Sequence, residues 1–280
     1  MTESSRIFDV LKEKIEKKPR LIYCYKCSRE VRPRVKLFPT LLGEIVAEYL
    51  CPIHNIVLLS ETIKRLNLPN RNPSLIVGGA YIAFEGIDGS GKTYHAKWLV
   101  SELGKYGYEA IYVVEPYIGA IKEFLYSYDV DADAEVFLFA ADRIILQKNV
   151  VLPALKENKA VISDRSVYSS IVYQSIRGVS EEYIWGINRS IKIPELVIVL
   201  DVPVEEALNR IAKTRQKITR FEDKEILSKA REKFLKLPEK YSELSDFVVI
   251  NSDRPEEDVK RDILKVVLEF VRKRRDASKD

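Results

Sequence analysis

The sequence predicts an α/β protein: a parallel sheet with helices on both faces, preceded by a small, separate N-terminal domain. Three observations carry this. From residue 78 onward, apolar β-prone runs alternate with stretches of helical periodicity. A glycine-rich run, Phe84-Glu85-Gly86-Ile87-Asp88-Gly89-Ser90-Gly91-Lys92-Thr93, leads from one such strand straight into a helix. All three cysteines, with one of only two histidines, fall before residue 55 in two short knuckles.

The N-terminal part comes first. Ile7, Val10, Leu11 and Ile15 recur at helical spacing and predict a short amphipathic helix over 5–17. Cys24-Tyr25-Lys26-Cys27 and Cys51-Pro52-Ile53-His54 follow, separated by 23 residues. Each knuckle places two ligands across a tight turn, so Cys24, Cys27, Cys51 and His54 can close a tetrahedral Cys₃His site around a structural Zn²⁺. So short a segment has little core, and metal binding supplies much of its folding free energy. Strands are expected at 21–23 and 56–59. Arg29, Arg32, Arg34 and Lys36 lie between the knuckles, which suits a protein or nucleic-acid partner for this segment. Two prolines and three asparagines in 66–74 mark a linker. The domain boundary is placed near residue 77, giving a zinc-ribbon-like segment at 1–77 and an α/β domain at 78–280.

In the second domain the expected strands are 80–85, 110–114, 160–163, 196–201 and 246–250, with helices between them. The last helix carries Val259, Ile263, Val266, Val267 and Phe270 on one stripe. Gly86, Gly91, Lys92 and Thr93 fill the pattern G-x-x-x-x-G-K-[ST] of a P-loop NTPase-type sheet. Glycines let consecutive N–H groups face phosphates, Lys92 reaches the β- and γ-phosphates, and Thr93 offers its hydroxyl to Mg²⁺. ATP is the ligand this predicts, held by Gly86, Asp88, Gly89, Ser90, Gly91, Lys92 and Thr93.

Five further segments narrow the chemistry. Glu115-Pro116 sits at the carboxyl end of the second strand, where a crevice opens. Phe139 and Arg143 share one helical face, a ring to stack on a base and a cation beside it. Asp164 and Arg165 end a buried strand and suit hydrated Mg²⁺ and phosphate. Arg215, Lys217 and Arg220 form a polar, basic stretch of the kind that closes as a lid over transferring phosphates. Asn251-Ser252-Asp253-Arg254 follows the last strand and would line a base pocket for ATP. His95 is expected on the helix surface.

Composition agrees. At 280 residues, with 46% hydrophobic and 31% charged residues, the chain matches a soluble globular protein with one large and one small domain. No apolar run is long enough to cross a bilayer and the first residues lack a signal peptide's layout, so no membrane partner and a cytoplasmic location are expected. An odd number of cysteines argues against a disulfide framework. Residues 1–77 hold 14 Lys+Arg against 8 Asp+Glu, while the remainder holds 32 against 34, so the positive charge sits in front.

Taken in order, these segments resemble one family, the thymidylate kinases among the P-loop nucleoside monophosphate kinases. The resemblance runs from residue 80 to about 270 through the phosphate loop, Glu115-Pro116, Phe139 to Arg143, and Asp164-Arg165 followed by Ser169, Tyr173 and Gln174. It continues with Pro194-Glu195-Leu196, Leu200-Asp201-Val202 and Arg220-Phe221-Glu222. It implies conversion of dTMP and ATP to dTDP and ADP, and a homodimer. By the same likeness Asp88 lies near the acceptor's 3′-hydroxyl and phosphate, Phe139 stacks on thymine, and Arg143 meets the acceptor nucleotide with Glu115, Pro116 and Ser169 around it. Asp164 and Arg165 orient metal and acceptor phosphate, and Tyr173 crowds the 2′ position. Because position 89 is glycine, transition-state charge falls to the lid, to Arg215 and Arg220.

The chain also departs from the family pattern. Val114 stands where an arginine often precedes Glu-Pro, Tyr117 replaces a glycine, Ser166 replaces the tyrosine after Asp-Arg, and Tyr94 replaces a threonine. These changes leave two alternatives open: a kinase for another (deoxy)nucleoside monophosphate, or a non-catalytic regulator that binds ATP or nucleic acid through the zinc segment.

Overall fold

In the computed structural model the described residues are 21–24, 27–39, 44–54, 57–65, 79–214 and 223–277. The expected helix at 5–17, the linker at 66–74, the boundary near 77, and Arg215, Lys217 and Arg220 lie outside them. The chain divides into two units, Met1–Asn72 and Pro73–Asp280.

In the first unit, β1 (Ile22–Cys24) pairs antiparallel with β2 (Arg29–Val31) across the first knuckle. A separate antiparallel sheet follows, β3 (Arg34–Pro39), β4 (Glu44–Leu50) and β5 (Val57–Arg65), in that order. Sequence reading expected two strands here, at the places of β1 and β5, and found none of β2, β3 and β4. The alternation is present in β4, where Ala47, Tyr49 and then Cys51 are buried, but it is short and interrupted by two register shifts against β5. The extra strands carry the second knuckle at the end of β4.

The second unit is built on five parallel strands: β6 (Tyr81–Glu85), β7 (Ala110–Val114), β8 (Ala160–Asp164), β9 (Leu196–Asp201) and β10 (Asp246–Asn251). All five expected strands are present, in the order β10-β9-β6-β8-β7. Every residue of β6 and β8 is buried, as expected of a parallel sheet covered on both sides, and the runs are accordingly apolar rather than alternating. The helices are α1 (Lys92–Lys105), α2 (Gly119–Ser127), α3 (Ala132–Leu146), α4 (Leu152–Lys156), α5 (Val167–Ile176), α6 (Glu181–Ile187), α7 (Val204–Thr214), α8 (Lys224–Tyr241) and α9 (Glu256–Ala277). A π-helical stretch, Gln147–Val151, joins α3 to α4.

The two faces of β6 feed two cores. Ile82 and Phe84 pack with Ala96, Leu99 and Leu103 of α1 and with Val259, Ile263 and Val267 of α9. Tyr81 points the other way, into a cluster with Val113, Leu146, Val151, Leu155 and Val161. Of the predicted stripe on α9, Val259, Ile263 and Val267 are buried, and Val266 and Phe270 pack against the same cluster partly buried. Burying Ile263 and Val267, both 0% exposed, is worth roughly 1.5–3 kcal/mol for each side chain. The chain runs from β6 outward to β7 and β8, then crosses to β9 and β10, so β6 sits at the switch point where a crevice opens beyond the strands' carboxyl ends. The glycine-rich loop leaves from that strand.

Candidate active site

The phosphate loop keeps its shape through close backbone packing. Gly86 has φ of 135°, and a Cβ there would lie 2.5 Å from the Leu200 carbonyl oxygen. Gly89 has φ of 82°, and its Cβ would lie 2.5 Å from the Ala207 carbonyl oxygen of α7. Position 89 therefore has no room for a side chain in this backbone conformation. The loop ends in α1, whose first residue is Lys92. That side chain is 5% exposed; Nζ donates to Ile87 O at 2.8 Å and lies 3.8 Å from Asp88 Oδ1. Burial, and then the Arg165 guanidinium, pull the Lys92 ammonium down to about 8, against the pull of Asp88, Asp164 and Glu85.

Two carboxylates face this loop. The Thr93 hydroxyl donates to Asp164 Oδ2, and Tyr112 donates to the same oxygen at 3.2 Å. Two hard oxygen ligands from separate elements are thereby adjacent, the donor set that Mg²⁺ takes. Asp88 Oδ1 accepts from Arg165 at 2.5 Å. Arg165 holds φ of 76°, a left-handed conformation uncommon for a residue with a side chain. Its N–H donates to Phe84 O at 3.0 Å, while its side chain donates to Ser169 Oγ at 3.1 Å and lies over the Tyr173 ring at 5.4 Å.

Two cavities meet here. The first, about 460 Å³, is lined by Asp88, Glu115, Pro116, Phe139, Arg143, Arg165, Ser169 and Tyr173, the eight residues expected on the acceptor side. The second, an open cleft of about 1110 Å³, is lined by Asp88, Gly89, Gly91, Lys92, Thr93 and Asp164 among others. Asp88, Glu115, Pro116, Tyr126 and Arg165 line both, so the two are continuous.

A match over most of the α/β unit decides the family. The thymidylate kinase family model matches residues 84–263. The chain belongs to the thymidylate kinase family. Among its relatives, the "Probable thymidylate kinase" of Pyrococcus horikoshii is 38% identical over 201 residues, 68% of this chain and 96% of that one. That of Methanococcus aeolicus is 39% identical over 196 residues, with the same shares. The "Thymidylate kinase" of Brachyspira hyodysenteriae is 36% identical over 168 residues, 58% of this chain and 83% of its own.

Within this thymidylate kinase fold, sequence reading missed several residues that shape the site. Asp142 is buried, and its carboxylate accepts from the backbone N–H groups of Tyr117 and Ile118 at 2.8 and 2.7 Å. It thereby holds the loop after Glu115-Pro116, Tyr117 included, while its neighbour Arg143 faces the cavity. Arg143 is 1% exposed and donates to Glu115 Oε2 at 2.8 Å, Asn188 Oδ1 at 2.6 Å and Ser170 Oγ at 3.0 Å. Burial pushes the Glu115 carboxyl up to about 7 against that guanidinium. Glu85 is wholly buried and accepts from Ser166 at 2.6 Å and Ser169 at 2.7 Å. Ser166, the departure after Asp-Arg, also caps α5 by accepting from Tyr168 N at 3.3 Å. Val114 and Tyr94 line the larger cleft with Lys122 and Arg210.

Some expected residues are placed elsewhere. Asn251 and Arg254 line neither cavity: Asn251 Oδ1 accepts from Asp253 N at 2.8 Å, and Arg254 pairs with Asp262 at 2.6 Å. Arg210 joins that segment to the phosphate loop, donating to Gly89 O at 3.5 Å and Ser252 O at 3.1 Å. His95, expected on the helix surface, is 6% exposed. Burial lowers its imidazole to about 4, so it is neutral.

The first unit carries its own cluster. Cys24 Sγ, Cys27 Sγ, Cys51 Sγ and one His54 ring nitrogen all lie within 4.8 Å of one another. Nδ1 of His54 is 3.9, 3.4 and 3.6 Å from the three sulfurs in turn, and Cys27 and Cys51 are 3.6 Å apart. Tetrahedral zinc with bonds of roughly 2.0–2.3 Å sets its ligand atoms about 3.4–3.8 Å apart. The Cys51 sulfur also accepts from the His54 backbone N–H at 3.5 Å.

Proposed function

We propose that this chain transfers the γ-phosphoryl group of ATP to dTMP, giving dTDP and ADP. An oxygen of the acceptor's phosphate forms a bond to the γ-phosphorus as the bond to the β,γ-bridging oxygen breaks, and ADP leaves with that electron pair. No protein atom bonds to phosphorus. The residues bind, orient and compensate charge.

One observation carries the choice of base. Gln174 Oε1 is buried against the acceptor cavity with no hydrogen-bond partner among the described residues, and Arg143, a pure donor, lines the same cavity. An acceptor beside a donor complements the N3–H and O4 edge of thymine or uracil and opposes the N3 and N4–H₂ edge of cytosine. Phe139 supplies the stacking face and Tyr173 the wall on the sugar's 2′ side.

On the donor side, Gly86 to Thr93 with Lys92 hold the triphosphate. Thr93 and Asp164 would hold Mg²⁺, which would supply charge neutralisation to the bound triphosphate. Arg165, fixed by Asp88 and Ser169, faces the junction of the cavities and grips the acceptor phosphate. Lys122 supports this grip where Val114 removes the usual arginine, and Arg215 and Arg220 meet the transferring charge from the lid. In the first unit, Cys24, Cys27, Cys51 and His54 hold one structural Zn²⁺. Exposed Arg29 and Arg32 suit an anionic partner, a nucleic acid or an acidic protein. A homodimer is part of the reading, with Phe124 and Phe137, 44% and 51% exposed, as apolar surface. So is a cytoplasmic location; no helix of the described residues is long and apolar enough to cross a membrane.

Initial rates with ATP and Mg²⁺ across dTMP, dUMP, dCMP, UMP, dGMP and AMP test the assignment. The highest kcat/KM is expected for dTMP. A higher value for any other acceptor rejects it.

A further inference from the structure

Gln174 can present either end of its amide to a base, and its neighbours decide which. Its Nε2 donates to Glu135 Oε2 at 3.2 Å. Glu135 lies on α3, is 0% exposed, and receives Arg177 Nη1 on its other oxygen at 2.6 Å. Arg177 is held in turn by donating to Val130 O at 2.8 Å, and its own N–H closes the end of α5 on Gln174 O at 3.1 Å. A carboxylate paired with a guanidinium presents acceptor oxygens, so the NH₂ end of Gln174 turns toward it. Oε1 is then the end left unpaired, on a residue that lines the cavity.

We propose that Glu135 is a positioning residue that sets base preference: it fixes the amide of Gln174 so that the acceptor cavity reads an N–H donor on the base. Glu135 does not line the cavity and acts only through Gln174. The proposal rests on the acceptor reading given above and adds to it a specificity determinant outside the binding surface.

Glu135→Gln makes the test sharp. Arg177 draws the new side chain's oxygen toward itself, which leaves an NH₂ group facing Gln174. Gln174 then turns its oxygen toward that NH₂ group and its own NH₂ end into the cavity. The ratio of kcat/KM for dTMP to that for dCMP is expected to fall by about tenfold or more, through a higher KM for dTMP and a lower one for dCMP. KM for ATP should stay within about twofold of wild type. A purely structural loss lowers both acceptors together and leaves the ratio intact, and an unchanged ratio in a folded variant overturns the proposal. Should Glu135→Gln fail to fold, Glu135→Met takes its place, since it removes the acceptor that holds the NH₂ end of Gln174 and lets the amide present either end, while leaving every group on the cavity. Its ratio is expected to fall at least about threefold, and no change overturns the proposal equally. A wild-type enzyme that prefers another acceptor would reject the thymine reading. Wild-type dTMP preference with an unchanged variant ratio rejects Glu135 alone.

Discussion

Arg165 donates to Asp88 at 2.5 Å, tying the end of β8 to the phosphate loop that leaves β6. The contact places a cation and an anion where the donor and acceptor cavities join, and Arg165 reaches it from a backbone with φ of 76°. Because glycine adopts that conformation freely, Arg165→Gly removes the guanidinium without adding strain. Turnover should fall by roughly 10²–10³-fold while the melting temperature stays near wild type. Steady-state rates and a thermal melt measure both, and undiminished turnover overturns the role.

Lys92 gives a pH dependence with a definite sign. Its ammonium is drawn down to about 8, so the charged form that meets phosphate is lost as pH rises through that value. Because kcat/KM for ATP reports the free enzyme, it should decline above about pH 8. A profile flat to pH 10 would contradict the assignment. Lys92→Ala should abolish most turnover at every pH.

Gly89 predicts a failed graft. Installing the arginine that other phosphate loops use, by Gly89→Arg, drives a Cβ to within 2.5 Å of Ala207 O at φ of 82°. A destabilisation of about 2–4 kcal/mol and weaker ATP binding are expected, in place of faster transfer. Denaturant melts and ATP titration check this.

Metal analysis of the purified full chain should find close to one zinc per molecule, lost in Cys24→Ser and in Cys51→Ser. A metal-free preparation in which both units are folded would overturn the zinc site. Because the ligands come from β1, the first knuckle and the end of β4, either substitution should also unfold the first unit.

The strands of the second unit were legible because a buried parallel strand is an apolar run with few other readings. Phe139 and Arg143 were legible because their spacing puts them on one helical face. β2, β3 and β4 were not; β2 spans three residues, and in β4 the alternation that marks Ala47, Tyr49 and Cys51 is short and broken by register shifts. Glu85, Asp142 and Glu135 were also missed. Each is a buried carboxylate whose partners lie 24 to 84 residues away in the chain, and local pattern carries no record of such a pairing. Asn251 and Arg254 follow β10 as expected, and local bonds to Asp253 and Asp262 hold their side chains.

Sequence alone determined the class of chemistry, because a phosphate loop, a pair of Cys/His knuckles and a run of apolar strands are each local patterns tied to a narrow mechanical use. The tertiary structure decided which groups complete the site and how they are aimed. Gly89 is barred from bearing a side chain by the backbone of α7, and Gln174 is oriented by a carboxylate on α3. Hydrogen bonding and steric exclusion act through space, and only packing of the sheet and its helices brings those distant groups within reach.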